Sequence, residues 1–123
     1  MAYIYALPKN IGGNFNTAMG TMALRDNTSG SGNTGYGQQA LSTNSTGSNN
    51  TAIGNQADVT VNGLSNSTAI GYNAKVSANN TIQLGNSSVT AVNTSGALTA
   101  PIYASTPQTL ADGSPISWNP ALG

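Results

Sequence analysis

The sequence predicts an all-β fold: a parallel β-solenoid of about five coils, each 14–17 residues long. Five glycines recur at intervals of 17, 17, 17 and 14 residues, at Gly20, Gly37, Gly54, Gly71 and Gly85. Four alanines keep the 17-residue interval, at Ala23, Ala40, Ala57 and Ala74. A repeat of this length is too short for a pair of helices, but it suits two short strands that are each followed by a tight turn.

Each coil also carries an apolar residue immediately before its glycine, at Met19, Tyr36, Ile53, Ile70 and Leu84. In the fourth coil the alternation places Thr68 and Ile70 on one side of a strand and Ala69 on the other. Gly71 then ends the strand, where we expect a positive φ. The regular apolar spacing and the low charge argue against a disordered chain, which typically carries high charge and has no fixed apolar period.

A second, shorter strand is predicted in the later coils, where Ala57, Val59 and Val61 alternate and share one face. In the first two coils, Leu24 and Leu41 occupy an adjacent position in the repeat. The sequence therefore predicts a different register in the early coils.

The coils of 17 residues hold about three extra residues in one loop, at 28–31, 45–48 and 62–65. A solenoid tolerates insertions in such loops. Asparagines also recur at the 17-residue interval and are expected to bond backbone groups at the coil corners: Asn16, Asn33 and Asn50.

The unit N-T-A-I-G-x-x-A, present as NTAIGNQA at residues 50–57, resembles the head repeats of trimeric autotransporter adhesins, the YadA-like head. The same repeats occur in bacteriophage tail-fibre proteins, and the run NNTIQLGNSSVTAV from Asn79 resembles the end of such a head in phage fibres. The resemblance covers residues 14–94. It implies a left-handed parallel β-roll with three chains around one axis. The chain departs from the adhesins in lacking their neck motif and heptad stalk, and Tyr36 and Leu84 replace the usual core residues of the repeat.

The chain divides into an N-terminal strand and joint at 1–15, the β-roll at 16–94, and a proline-containing, β-rich segment at 95–123. A strand is predicted at 2–7 and a flexible joint at 11–13; the strand either caps the first coil or docks onto another protein. The C-terminal segment either folds back as a cap or pairs with a neighbouring chain, since an unpaired strand invites a partner. The candidate assembly contacts at the two ends are Tyr3, Ile4, Tyr5 and Trp118.

Composition excludes several kinds of function. Only 5% of the residues are charged and the net charge is zero, which argues against binding to nucleic acid or to an anionic membrane. The chain has no cysteine and no histidine, so thiolate chemistry, disulfides and histidine-ligated metals are excluded. No catalytic constellation, metal site or cofactor motif is found, and we expect a protein that is not an enzyme.

The sequence thus favours a structural fibre protein, namely a phage virion or tail-fibre component that forms a homotrimeric rod and contributes to host attachment. The absence of a secretory signal at the start is in keeping with assembly inside the cell and release in the virion. One alternative is an extracellular filament subunit whose terminal strands join successive copies or other subunits. Another is an adhesin-type module whose loops at 29–32, 47–49 and 63–65 bind a host surface glycan or receptor.

Overall fold

The computed structural model describes residues 5–96, and within that range the chain is all-β, with no helix. Parallel strands stack as a β-solenoid of about four turns. The strands are β1 (Thr17–Met19), β2 (Thr34–Tyr36), β3 (Thr51–Ile53), β4 (Asp58–Val59), β5 (Thr68–Ile70), β6 (Lys75–Val76) and β7 (Ile82–Leu84). The prediction of an all-β chain with a parallel β-solenoid is confirmed.

The main sheet contains five parallel strands in the order β1-β2-β3-β5-β7. Equivalent residues of successive coils lie side by side, so that Thr34 pairs with Thr51, and Thr51 with Thr68. A second sheet pairs β4 with β6, with Val59 beside Val76. The 17-residue interval of the sequence is therefore the register of the stack, and the shorter last interval sets Ile82 beside Thr68.

The interior of the roll is narrow and is filled mainly by small side chains. Ala52 and Ala69 point inward from the main sheet, and Ala57 and Ala74 point inward from the opposite side. Leucine and valine fill the remaining corner. The cluster of buried apolar residues comprises Leu24, Ala40, Leu41, Ala52, Ala57, Val59, Ala69, Ala74 and Val76.

The early and late coils turn this corner in different ways. Leu24 and Leu41 adopt left-handed backbone conformations, with φ of 51° and 50°, and the Leu41 amide donates to the Ala57 carbonyl at 3.0 Å. In the third coil, strand β4 replaces the turn and buries Val59 instead. Val61 does not share the inner face of Ala57 and Val59 as predicted; it is exposed, because β4 ends at Val59.

A buried carboxylate joins the two kinds of corner. Asp58 is 1% exposed, and its oxygens accept hydrogen bonds from the hydroxyls of Ser42 (3.1 Å) and Thr43 (2.8 Å). They also accept from the backbone amides of Thr43 (3.1 Å) and Val59 (2.9 Å). Asp58 thus provides hydrogen-bond acceptors for the polar groups at the point where the turn of the second coil meets the strand of the third.

The corner asparagines form a ladder along the roll, as predicted. The Asn33 side chain donates to the Gly47 carbonyl at 2.8 Å and accepts from the Asn50 amide at 2.9 Å. The Asn50 side chain accepts in turn from the Ser67 amide at 3.0 Å. Each side chain therefore satisfies backbone groups of two coils, which stabilises a stack whose apolar core is thin.

The N-terminal segment continues the solenoid by half a coil. The Leu7 amide donates to the Ala23 carbonyl at 3.0 Å, and the amides of Ile11 and Gly12 donate to Thr28 at 3.0 and 2.9 Å. Leu7 lies 17 residues before Leu24 and has the same left-handed conformation, with φ of 54°. Residues 5–7 contain no strand, and the predicted joint at 11–13 is hydrogen-bonded to the first coil.

The contacts of the chain define one compact unit at Met1–Val92 and a second at Asn93–Gly123. Only residues 93–96 of the second unit are described, and they contain no strand. The strand, turn and tryptophan contact predicted further along lie outside the described residues.

Candidate interaction surface

An uninterrupted row of large apolar side chains runs along the outside of the main sheet. One residue of each strand contributes, and neighbours in the row are register partners. The exposed fractions are 59% at Met19, 55% at Tyr36, 42% at Ile53, 40% at Ile70 and 44% at Leu84. We call these five residues the outer row. With strands spaced by about 4.8 Å, the row is about 19 Å long.

The outer row points away from the interior because successive side chains of a strand alternate between its two faces. In β3, Ala52 is fully buried while Ile53, the next residue, is exposed. The following glycines fix this geometry by letting consecutive coils approach closely. Gly54 has a φ of 132°, and a Cβ atom there would lie 2.6 Å from the carbonyl oxygen of Gly71. A side chain at this position would force the coils apart.

A row of threonines runs parallel to the outer row on the same face. Thr34, Thr51 and Thr68 lie in register and are half-buried. The face therefore combines one polar and one apolar row on a sheet of parallel strands. Contiguous apolar surface of this kind marks a contact with another molecule in most soluble proteins.

The loops predicted to recognise a ligand are stacked on one another. The Ser31 amide donates to the Ser48 hydroxyl at 3.0 Å, and the Ser48 amide donates to the Ser65 hydroxyl at 3.2 Å. The amides of Asn49 and Asn66 bond the carbonyls of the preceding loops at 2.9 and 3.1 Å. The loops thus form an ordered ladder on the surface of the roll.

Three of the charged residues form ion pairs with one another at the first coil. Asp26 bonds Lys9 at 2.7 Å and Arg25 at 2.6 Å, so it ties the N-terminal half-coil to the coil that follows. The hydrogen bond from Arg25, followed by that from Lys9, lowers the pKa of Asp26 to about 2. Within the described range, no group of acidic side chains has the geometry of a metal site, and no helix is suited to crossing a membrane.

The structure places the repeat residues in three distinct roles. The five glycines end the strands of the main sheet, all with positive φ. The alanines at 23, 40, 57 and 74 are buried inside the roll, and the apolar residues before the glycines face outward. Of the candidate assembly contacts, Tyr5 is 56% exposed, whereas Tyr3, Ile4 and Trp118 lie outside the described residues.

Sequence reasoning missed the N-terminal half-coil, although its signal is present. Leu7, Asn10 and Gly13 each stand 17 residues before an equivalent residue of the first coil. Asn10 repeats the contact of Asn27: each side chain donates to the carbonyl three residues on, at 2.8 Å for Gly13 and 2.9 Å for Gly30, and Asn10 also accepts from Asn27 at 2.8 Å. The half-coil lacks the glycine and apolar pair by which the other coils were recognised.

Comparisons with known proteins gave no significant match to a family model, to a characterised protein or to a solved structure.

Proposed function

We propose that this chain is a non-enzymatic structural subunit of a fibre, in which three copies pack their outer rows around a common axis. The observation that carries the proposal is the outer row itself: five large apolar side chains in register on one face of a single chain. Burying one such side chain is worth about 1.5–3 kcal/mol, and all five lie outside the interior of the roll. Three copies related by rotation bury the row of every chain.

The particle we propose is a bacteriophage virion, with the chain as part of a tail fibre that contributes to host attachment. The support is the resemblance of the unit at 50–57 to YadA-like head repeats, which also implies a left-handed roll. In this proposal nucleic acid and membrane are not partners. Only three basic residues are present in the chain, too few for either surface.

A second candidate is a filament in which copies join end to end. It is favoured by the two outermost strands of the main sheet, because β1 and β7 each have one strand neighbour among residues 5–96. Unpaired strand edges are templates for further pairing. A contact between the first strand of one copy and the last strand of the next does not close, and so produces a polymer.

The test is the mass of the purified full-length chain in solution, measured by light scattering. A particle of three chains of 12.3 kDa supports the trimer, and polymers of increasing length support the filament. In the variant Ile53→Asn, which places an amide in the middle of the outer row, we expect monomers. Val61→Asn is the matched control, because Val61 is also apolar and exposed but lies outside the row.

A folded wild-type monomer at high concentration contradicts both assemblies. Trimers that survive Ile53→Asn contradict the outer row as the interface. Circular dichroism of each variant shows that a change of mass reflects assembly and not unfolding.

A further inference from the structure

A wide-open cleft of about 420 Å³ lies at the last coil of the roll. No carboxylate lines it and no residue of the outer row lines it, so it is separate from the face proposed for assembly. Apart from one glycine, every lining residue carries a hydrogen-bonding side chain. The lining residues are Asn73, Lys75, Gln83, Gly85, Asn86 and Ser87.

Lys75 is the one basic residue whose charged group is not hydrogen-bonded to a carboxylate of residues 5–96. Lys9 and Arg25 both bond Asp26, at 2.7 and 2.6 Å. The Lys75 ammonium forms a long ion pair with Asp58 at 3.9 Å, beyond hydrogen-bond distance, and Asp58 already accepts from neighbouring hydroxyls and amides. The ammonium therefore keeps its donors available to a ligand in the cleft.

A ladder of side-chain amides along the roll stops where the cleft begins. The Gln56 amide donates to the Gln39 side chain at 3.2 Å, one coil apart. The next residue in this series is Asn73, whose side-chain amide has no partner within residues 5–96. Gln83 donates to the Gly85 carbonyl at 2.9 Å and keeps its side-chain oxygen open. The cleft thus presents side-chain donors and acceptors without hydrogen-bond partners beside the Lys75 ammonium, whose nearest carboxylate among the described residues is the buried Asp58 at 3.9 Å.

We propose that this cleft binds a carboxylated sugar residue, such as a uronic acid, of a surface glycan. Lys75 pairs with the sugar carboxylate, while Asn73 and Gln83 exchange hydrogen bonds with the hydroxyls. Amides suit this task because they both donate and accept, as sugar hydroxyls do. A polyanion such as nucleic acid needs several cations along its path, which the cleft does not offer. The inference rests on the proposed function in that it names the receptor class for host attachment.

The test is a titration of the full-length, isotope-labelled chain with sodium glucuronate, followed by nuclear magnetic resonance of the side-chain amides. We expect saturable shifts at Asn73 and Gln83, with a dissociation constant on the order of 1 mM for a single sugar in an open cleft. Methyl glucoside, which lacks the charge, and sodium acetate, which lacks the ring, should each bind at least about fivefold more weakly.

Two variants test the contacts. Lys75→Gln should weaken glucuronate binding about fivefold, the equivalent of an exposed charge contact of about 1 kcal/mol. Asn73→Gly should also weaken it, and glycine tolerates the φ of 51° at this position. Lys9→Gln is the matched control: it removes the same charge away from the cleft and should leave the titration unchanged.

The proposal is overturned if glucuronate causes no saturable shifts at these amides, if acetate or methyl glucoside binds equally well, or if Lys9→Gln weakens binding as much as Lys75→Gln. The mass of the particle is measured on the same sample. If the chain forms trimers but does not bind glucuronate, only the proposed ligand is wrong. If it binds glucuronate as a monomer, only the proposed trimer is wrong.

Discussion

The inner and outer faces of the main sheet use neighbouring residues of the same strands in opposite ways. Ala52 and Ala69 face the interior and are at most 1% exposed, whereas Ile53 and Ile70 face outward and are 42% and 40% exposed. In a typical single-chain domain the larger side chains would fill the core. On the main sheet they lie outside, so the fold of one chain uses small residues and backbone ladders there and leaves the bulky apolar side chains exposed.

This difference separates two contributions to stability. The interior stabilises a single chain through close approach of the coils and through hydrogen bonds between them. In the proposed assembly the outer row would stabilise the chain only when a partner covers it, which would make that contribution dependent on protein concentration. Substitutions on the two faces should therefore behave differently in the same measurement.

The largest effect is expected where a side chain would separate two coils. Gly54→Ala places a Cβ atom 2.6 Å from the Gly71 carbonyl oxygen and holds alanine at a φ of 132°. We expect a loss of about 3 kcal/mol or more in the free energy of unfolding, measured by urea denaturation. Gly12→Ala is the control, because its nearest atom would be 3.9 Å away and its φ is not left-handed. Equal stability of the two variants would contradict the close approach of the coils.

An intermediate effect distinguishes the two faces directly. Leu41→Ala removes a side chain that is 1% exposed, and we expect a loss of about 2–5 kcal/mol at every protein concentration. Ile53→Ala should cost less than about 1 kcal/mol in dilute solution, where the exposed side chain has no partner. At high concentration its cost should increase, since assembly then buries the residue.

The measurement is the melting temperature of both variants and of the wild type over a series of protein concentrations. A constant difference between Ile53→Ala and wild type would show that the outer row remains uncovered. If the loss of melting temperature depended on protein concentration for Leu41→Ala and not for Ile53→Ala, the inner face would be the one that a partner covers, which contradicts the assignment made here.

The smallest effect concerns the charged contact outside the core. The pKa of Asp26 is lowered from 3.8 to about 2, so its stabilisation is present above the higher value and is lost as the pH falls through the lower one. Because the side chain is partly exposed, we expect at most about 1 kcal/mol. Asp26→Asn should remove this part of the acid sensitivity in urea denaturation at low pH. An unchanged pH dependence would mean that Lys9 and Arg25 do not stabilise the half-coil through Asp26.

The sequence by itself determined the fold class and most of the register. Gly54 and Ala57, with their equivalents at fixed intervals, predicted the parallel stack, because residues of successive coils must lie side by side. The alternation in Thr68–Ile70 predicted which residues share a face. Asn33 and Asn50 were predicted to bond the backbone at the corners, and the ladder confirms this.

Only the tertiary structure decided which face lies inside. Alternation groups Ile53 with Thr51 but does not say that alanine fills the interior, because that depends on the distance between opposite walls of the roll. The half-coil around Leu7 likewise became visible through its hydrogen bonds to the first coil. Lys75 and Gln83 lie eight residues apart in the sequence, and only the winding of the last coil brings them to one cleft. The alternation of residues in a strand determines which side chains share a face, whereas the path of the backbone around the roll determines whether that face lies inside or outside.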